Sequence, residues 1–188
     1  MQTLFNSVAF ARGVAAALAS LAILGCETTI PASDTTPPRV ELRLSGPGGG
    51  SVSNPPREVW TGPGGVQYME LNAGGEYGFT VIVSDTGGVA SAALQLDQDI
   101  EIVSLDNASS VSNTVSGLSR ILRITGARAR PLTALTISGR LRFRELNNPS
   151  VGAETVSTVM RASGSDFGGA SGPANTTNLE LQYTYERP

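Results

Sequence analysis

Three groups of residues in this 188-residue chain carry side chains able to do chemistry by their position. Cys26 is the only cysteine, and it closes an apolar run from Gly13 to Leu24, so a nucleophilic sulfur stands where a hydrophobic segment ends. Asp97, Asp99 and Glu101 stand two apart. On a continuous strand they project from one face, and with a loop carboxylate such as Asp85 they are candidate ligands for calcium, which takes six to eight oxygens. Leu94, Leu96, Ile100 and Ile102 fall on the opposite parity, so the alternative is a solvated acidic face, or a turn at Asp97-Gln-Asp99. Arg140, Arg142 and Arg144 alternate with Leu141 and Phe143, which places three guanidiniums on one strand face. Such a stripe suits an anionic partner with phosphates or carboxylates. The alternative is cross-strand pairing with acids of residues 97–101 or 180–186.

The missing residue types exclude more than the present ones suggest. There is no histidine, so a Ser-His-Asp triad, a histidine base and most zinc or iron sites are impossible. All 13 basic residues are arginine, which removes Schiff-base and P-loop lysines. A glycoside hydrolase needs two opposed carboxyls about 5–10 Å apart across a cleft, and same-face neighbours do not define one. The chain is therefore read as no enzyme. Its net charge of −3 argues against nucleic acid as a partner, and no cofactor is expected.

Stepping from Cys26 to its surroundings, Arg12 precedes the apolar run and no acid occurs before it. This is the layout of a secretory signal. Twelve apolar residues are too few for a hydrocarbon core of roughly 30 Å, which needs about 20. The end of the run, Ile23-Leu24-Gly25-Cys26, resembles the lipobox of bacterial lipoproteins. That resemblance implies diacylglyceryl transfer to the Cys26 sulfur, cleavage between Gly25 and Cys26, and acylation of the new α-amine. Leu24 is bulkier than the usual occupant of its position. In such proteins an Asp after the cysteine favours the inner membrane; Glu27 here points to the outer membrane. The expected organisation is a signal peptide over 1–25, with a signal helix that is cleaved off, then a lipidated N-terminus and flexible tether over 26–38, and one domain over 39–188.

That domain reads as all-β. Val40, Leu42 and Leu44 alternate with polar residues, as do Tyr77, Phe79, Val81 and Val83, the period of a half-buried strand. Further strands are expected at Gln67 to Leu71, Val89 to Leu96, Ile100 to Leu105, Ser119 to Thr125, Leu132 to Glu145, Glu154 to Arg161 and Asn178 to Glu186. In the last of these Tyr183 and Tyr185 share the core face. Residues 46–65 read as a long loop holding Trp60, with a short strand at Glu58 to Thr61. Thr36-Pro-Pro-Arg-Val-Glu-Leu and the run from Tyr77 to Leu94, with its Val-Ser-Asp-Thr-Gly-Gly-Val turn, resemble bacterial immunoglobulin-like domains. The resemblance implies an immunoglobulin-like β-sandwich; a length of about 150 residues, against about 100 for a plain one, implies insertions.

Together these features point to a membrane-anchored lipoprotein acting as a non-catalytic binding or structural module at the cell envelope. Its partners would be the membrane, through the lipid, and an envelope protein or glycan. The alternative is a surface adhesion or glycan-binding module, with Trp60 as a stacking platform; a glycoside-processing enzyme ranks behind both.

Overall fold

The structure is a computed structural model and describes residues 25–54, 67–72, 74–97, 100–143 and 155–186. The apolar run with Ile23 and Leu24, Trp60, Asp99 and Arg144 lie outside the described residues.

Among the described residues eleven strands follow one another: β1 (Arg39–Ser45), β2 (Ser51–Asn54), β3 (Gln67–Asn72), β4 (Glu76–Ser84), β5 (Val89–Asp97), β6 (Ile100–Leu105), β7 (Ser112–Ser116), β8 (Ser119–Thr125), β9 (Ala134–Phe143), β10 (Thr155–Asp166) and β11 (Thr176–Glu186). They form two sheets, of five strands in the order β2-β1-β4-β9-β6 and of six in the order β3-β11-β10-β5-β8-β7. Every pairing is antiparallel except β11 with β3, which is parallel.

Period-two alternation makes the sandwich. In β4, Tyr77, Phe79, Val81 and Val83 point inward. They meet Leu94 and Leu96 of β5, Leu122 of β8, Met160 of β10, and Leu181 and Tyr183 of β11 in one continuous core. Each large side chain so buried contributes about 1.5–3 kcal/mol. Phe143 joins the layers as an aromatic hinge point, 5.3 Å from the Tyr77 ring edge-on and 5.1 Å from Tyr183. The Tyr77 hydroxyl donates to the Pro47 carbonyl at 2.7 Å, which satisfies its polar end.

The expected strands that fall among the described residues are present, with their bounds moved by a few residues; the one expected at Glu58 to Thr61 lies outside them. β4 belongs to one sheet and β5 to the other. Two strands were not expected. β7, Ser-Asn-Thr-Val-Ser, has every side chain exposed, and β2 is only four residues long. Both sit at sheet edges, where a neighbour supplies backbone hydrogen bonds; β7 buries no side chain, and β2, with Val52 in the core, is too short to show an alternating pattern.

The strands give the sandwich two ends. The β4–β5 turn, the β8–β9 loop, the β10–β11 loop and the start of β1 lie together at one end. The β7–β8 turn at Gly117-Leu118 and the end of β5 lie at the other.

Candidate functional site

The first of these ends gathers the groups of chemical interest. Asp34, Asp85 and Asp166 each offer a carboxylate oxygen, and the three oxygens lie within 4.8 Å of one another. Each aspartate makes the same local turn. Its Oδ1 accepts the backbone N–H two residues on: Thr36 to Asp34 at 2.9 Å, Gly87 to Asp85 at 2.7 Å and Gly168 to Asp166 at 2.7 Å. Asx turns of this kind are encoded by an Asp followed by a flexible partner. Here Asp85-Thr-Gly-Gly88 and Asp166-Phe-Gly-Gly169 repeat one signature on two different loops.

The three carboxylates are not equivalent. Asp166 is 1% exposed and also accepts the Asn175 N–H on Oδ1 and the Asn175 Nδ2 on Oδ2, each at 2.7 Å. Three hydrogen bonds thus hold its two oxygens in place. Asp85 accepts the Gly87 N–H and shares a side-chain hydrogen bond with Asp34, and burial pushes its carboxyl above the ordinary carboxylate range. The charges of Asp34 and Asp166 push it further the same way. A proton on Asp85, or a hard cation, would relieve that crowding. Three carboxylate oxygens supply half or fewer of the six to eight a calcium ion takes, the remainder falling to carbonyls and water.

Asp34 reaches the cluster because the chain before β1 is laid against the domain. Cys26 accepts the Thr133 N–H at 2.9 Å, Glu27 bridges Leu132, and the Thr28 N–H donates to Pro131 at 2.9 Å. The Thr28 hydroxyl donates to the Thr86 carbonyl, the Ala170 N–H to Pro31, and Asn175 Nδ2 to the Asp34 carbonyl. Gly169, at φ +78°, lets the β10–β11 loop pass so close to Ser33 that a Cβ would stand 2.7 Å from its Cα. In this structure the stretch expected as a tether over 26–38 is hydrogen-bonded to the domain at residues 26–28, 31 and 34. A Pro- and Ser/Thr-rich stretch without periodicity is still able to dock through its backbone, which leaves no side-chain pattern. Cys26 itself is exposed.

Of the expected calcium set, Asp97, Glu101 and Asp85 fall among the described residues and Asp99 does not. Asp97 ends β5 in the six-stranded sheet and Glu101 lies on β6 in the five-stranded one, so the chain changes sheet between them. The shared face assumed one continuous strand. Asp85, named beside them from sequence, stands at the opposite end of β5.

Arg140 and Arg142 do share the outer face of β9, and they are paired. Glu76 of β4 receives Arg140 Nη1 at 2.9 Å and Arg142 Nη2 at 3.2 Å. Glu101 is the cross-strand neighbour of Arg142 on the other side. The pairing strand is thus β4, not the acids of 180–186, whose Glu180 instead holds Arg161 at 2.7 Å. Tyr183 is fully buried, a core residue as expected.

Asp34 lies in the stretch read as a tether, and Asp166 stands just beyond the strand expected at Glu154 to Arg161, so neither is marked as a site by its own surroundings in sequence. The repeated Asp-x-Gly-Gly was the available signal for two of the three. No protein-family model matches the chain, and no curated protein does. Among solved structures, the chain is similar to the major pilin subunit of Bacillus cereus, with 10% identity and a TM-score of 0.39 over 79% of this chain; it spans 40% of that chain. It is also similar to a non-cellulosomal cohesin from the archaeon Archaeoglobus fulgidus, with 14% identity and a TM-score of 0.35 over 64% of this chain and 86% of the other.

Proposed function

We propose that the protein is a lipid-anchored, non-catalytic structural or binding module of a bacterial cell envelope, an immunoglobulin-like sandwich held by an acylated Cys26. The observation that carries this reading is the position of Cys26. It follows a short apolar run ended by Ile-Leu-Gly, and it is exposed at the margin of a folded all-β domain. A thiol there is accessible for acylation without unfolding anything. One acyl chain holds a protein marginally, at about 0.8 kcal/mol per buried methylene, and two or three hold it stably. The absence of histidine and lysine from the sequence supports a role in binding or scaffolding over catalysis.

The test is metabolic labelling with a clickable fatty acid in a bacterial host. Label is expected on the wild type, with the protein in the membrane fraction. Cys26→Ala is expected to lose the label and retain an uncleaved leader. Full labelling of the variant, or an unlabelled wild type in the soluble fraction, overturns the reading. Fractionation of inner and outer membranes checks the outer-membrane placement suggested by Glu27.

A further inference from the structure

The docking of residues 26–34 has a geometric consequence for a chain anchored at Cys26. We infer that the anchored domain stands with one chosen end against the lipid surface: the end formed by the β8–β9 loop, the β4–β5 turn and the β10–β11 loop. This rests on the assignment of Cys26 as the acylated residue and goes beyond it, because a lipidated protein on a free tether would have no preferred face.

The main-chain oxygen of Cys26 is itself engaged, by the Thr133 N–H, and residues 27 and 28 are paired to Leu132 and Pro131. No slack separates the anchor atom from the domain. The acyl chains leave directly from the domain surface, so the adjoining hairpin at 127–130 comes to within a side chain's length of the headgroups. That hairpin is cationic. Arg128 donates to the carbonyls of Phe167, Gly169 and Ala170, bonds that satisfy its donors without neutralising its charge. Arg130 is 79% exposed at the side chain and only loosely paired with Glu27, at 3.4 Å. Of the two, Arg130 is the one able to reach headgroup phosphates, beside the carboxylate of Glu27, while Arg128 adds its charge.

The opposite end then points away. The seven residues of β8 run between the two ends. At about 3.3 Å per residue they carry the β7–β8 turn roughly 20 Å further from the surface. Leu118 and Val115 of that turn region, 68% and 66% exposed, border a groove of about 260 Å³ with Asp97, Ile100, Glu101, Ile102 and Arg120. An envelope partner would meet this distal end first.

The test places single tryptophans at the two ends, Ala129→Trp and Leu118→Trp, each in a Trp60→Phe background. The anchored protein is reconstituted in phosphatidylethanolamine–phosphatidylglycerol vesicles with brominated acyl chains. Quenching is expected to be several-fold greater at residue 129 than at 118. A long Gly-Ser insert between Glu27 and Thr28 restores slack and is expected to bring residue 129 down to the level of 118. Equal quenching at both sites without the insert, or no effect of the insert, overturns the inference. Mass spectrometry of Cys26 decides the acylation separately. If the sulfur is free, the same proteins are coupled through it to maleimide-lipid vesicles, and the quenching comparison still decides the orientation. Circular dichroism checks that each variant is folded, and Arg130→Trp serves as a second proximal probe should Ala129→Trp fail.

Discussion

Neutralising Asp85 and neutralising Asp166 should move stability in opposite directions, although both residues are buried aspartates of one cluster. Asp85→Asn keeps an amide oxygen for the Gly87 N–H and removes a charge crowded by two others. At 4.8 Å, the outer limit of separation within the cluster, and an effective dielectric of about 20, an ionised neighbour repels it by roughly 3.5 kcal/mol before water screens it. Asp34 is partly exposed and water screens its share, so the expected gain is about 1–2 kcal/mol. Asp166→Asn does the reverse. One acceptor oxygen becomes an amide that faces Asn175 Nδ2, donor against donor, and the two backbone donors lose a charged partner. Asn175 could flip its own amide in response, yet Nδ2 also donates to the Asp34 carbonyl at 3.0 Å, so the flip only moves the loss. A hydrogen bond to a charged group is worth about 1.5–3 kcal/mol, and the expected loss is about 3 kcal/mol. For a domain of this size 1 kcal/mol shifts Tm by about 2–4 °C. Thermal unfolding at neutral pH, with a chelator present so that no divalent cation offsets the repulsion, should show Asp85→Asn about 2–8 °C above wild type and Asp166→Asn about 6–12 °C below. If both variants shift the same way, the inequivalence argued from their hydrogen bonds is wrong.

Further outcomes follow from the same geometry. A carboxyl raised in the folded state contributes stability that is full below its unfolded value and is lost as pH rises through the folded one; the Asp85→Asn advantage should therefore shrink as pH falls from 7 towards 4, measured as the difference in Tm. Glu41 has the opposite sign, because its hydrogen bond from Arg43 holds it below the ordinary range. Its contribution is present above the unfolded value and lost as pH falls through the folded one, so Glu41→Gln should converge on wild type in acid. Phe143→Ala removes the ring between Tyr77 and Tyr183 and should cost about 3–5 kcal/mol in urea unfolding, whereas a loss under 1 kcal/mol would mean that the two layers do not depend on it. Glu76→Gln leaves Arg140 and Arg142 without their shared carboxylate; since Arg140 is 66% exposed, the cost should stay below about 1 kcal/mol while binding to an anionic resin rises.

Much of the architecture was legible because burial on one sheet face forces a period of two. Tyr77-x-Phe79-x-Val81-x-Val83 and Leu179-x-Leu181-x-Tyr183 declare strand and inner face at once, and their partners had to be of the same kind. The edge strands left no such mark, since β7 pairs through its backbone with every side chain exposed and the four residues of β2 are too few to alternate. The proposal for Cys26 likewise rests on its neighbours in sequence and on nothing distant.

What tertiary structure alone decided is which charged groups meet. Asp34, Asp85 and Asp166 are separated by 51 and 81 residues and come within 4.8 Å because three loops and the docked N-terminal segment share one end of the sandwich. Asp97 and Glu101, four residues apart, belong to different sheets because the chain crosses between them. Local periodicity reports which face of a strand is buried. It carries no information on strand order, and strand order determines that Glu76, and not an acid of β11, faces Arg140 and Arg142.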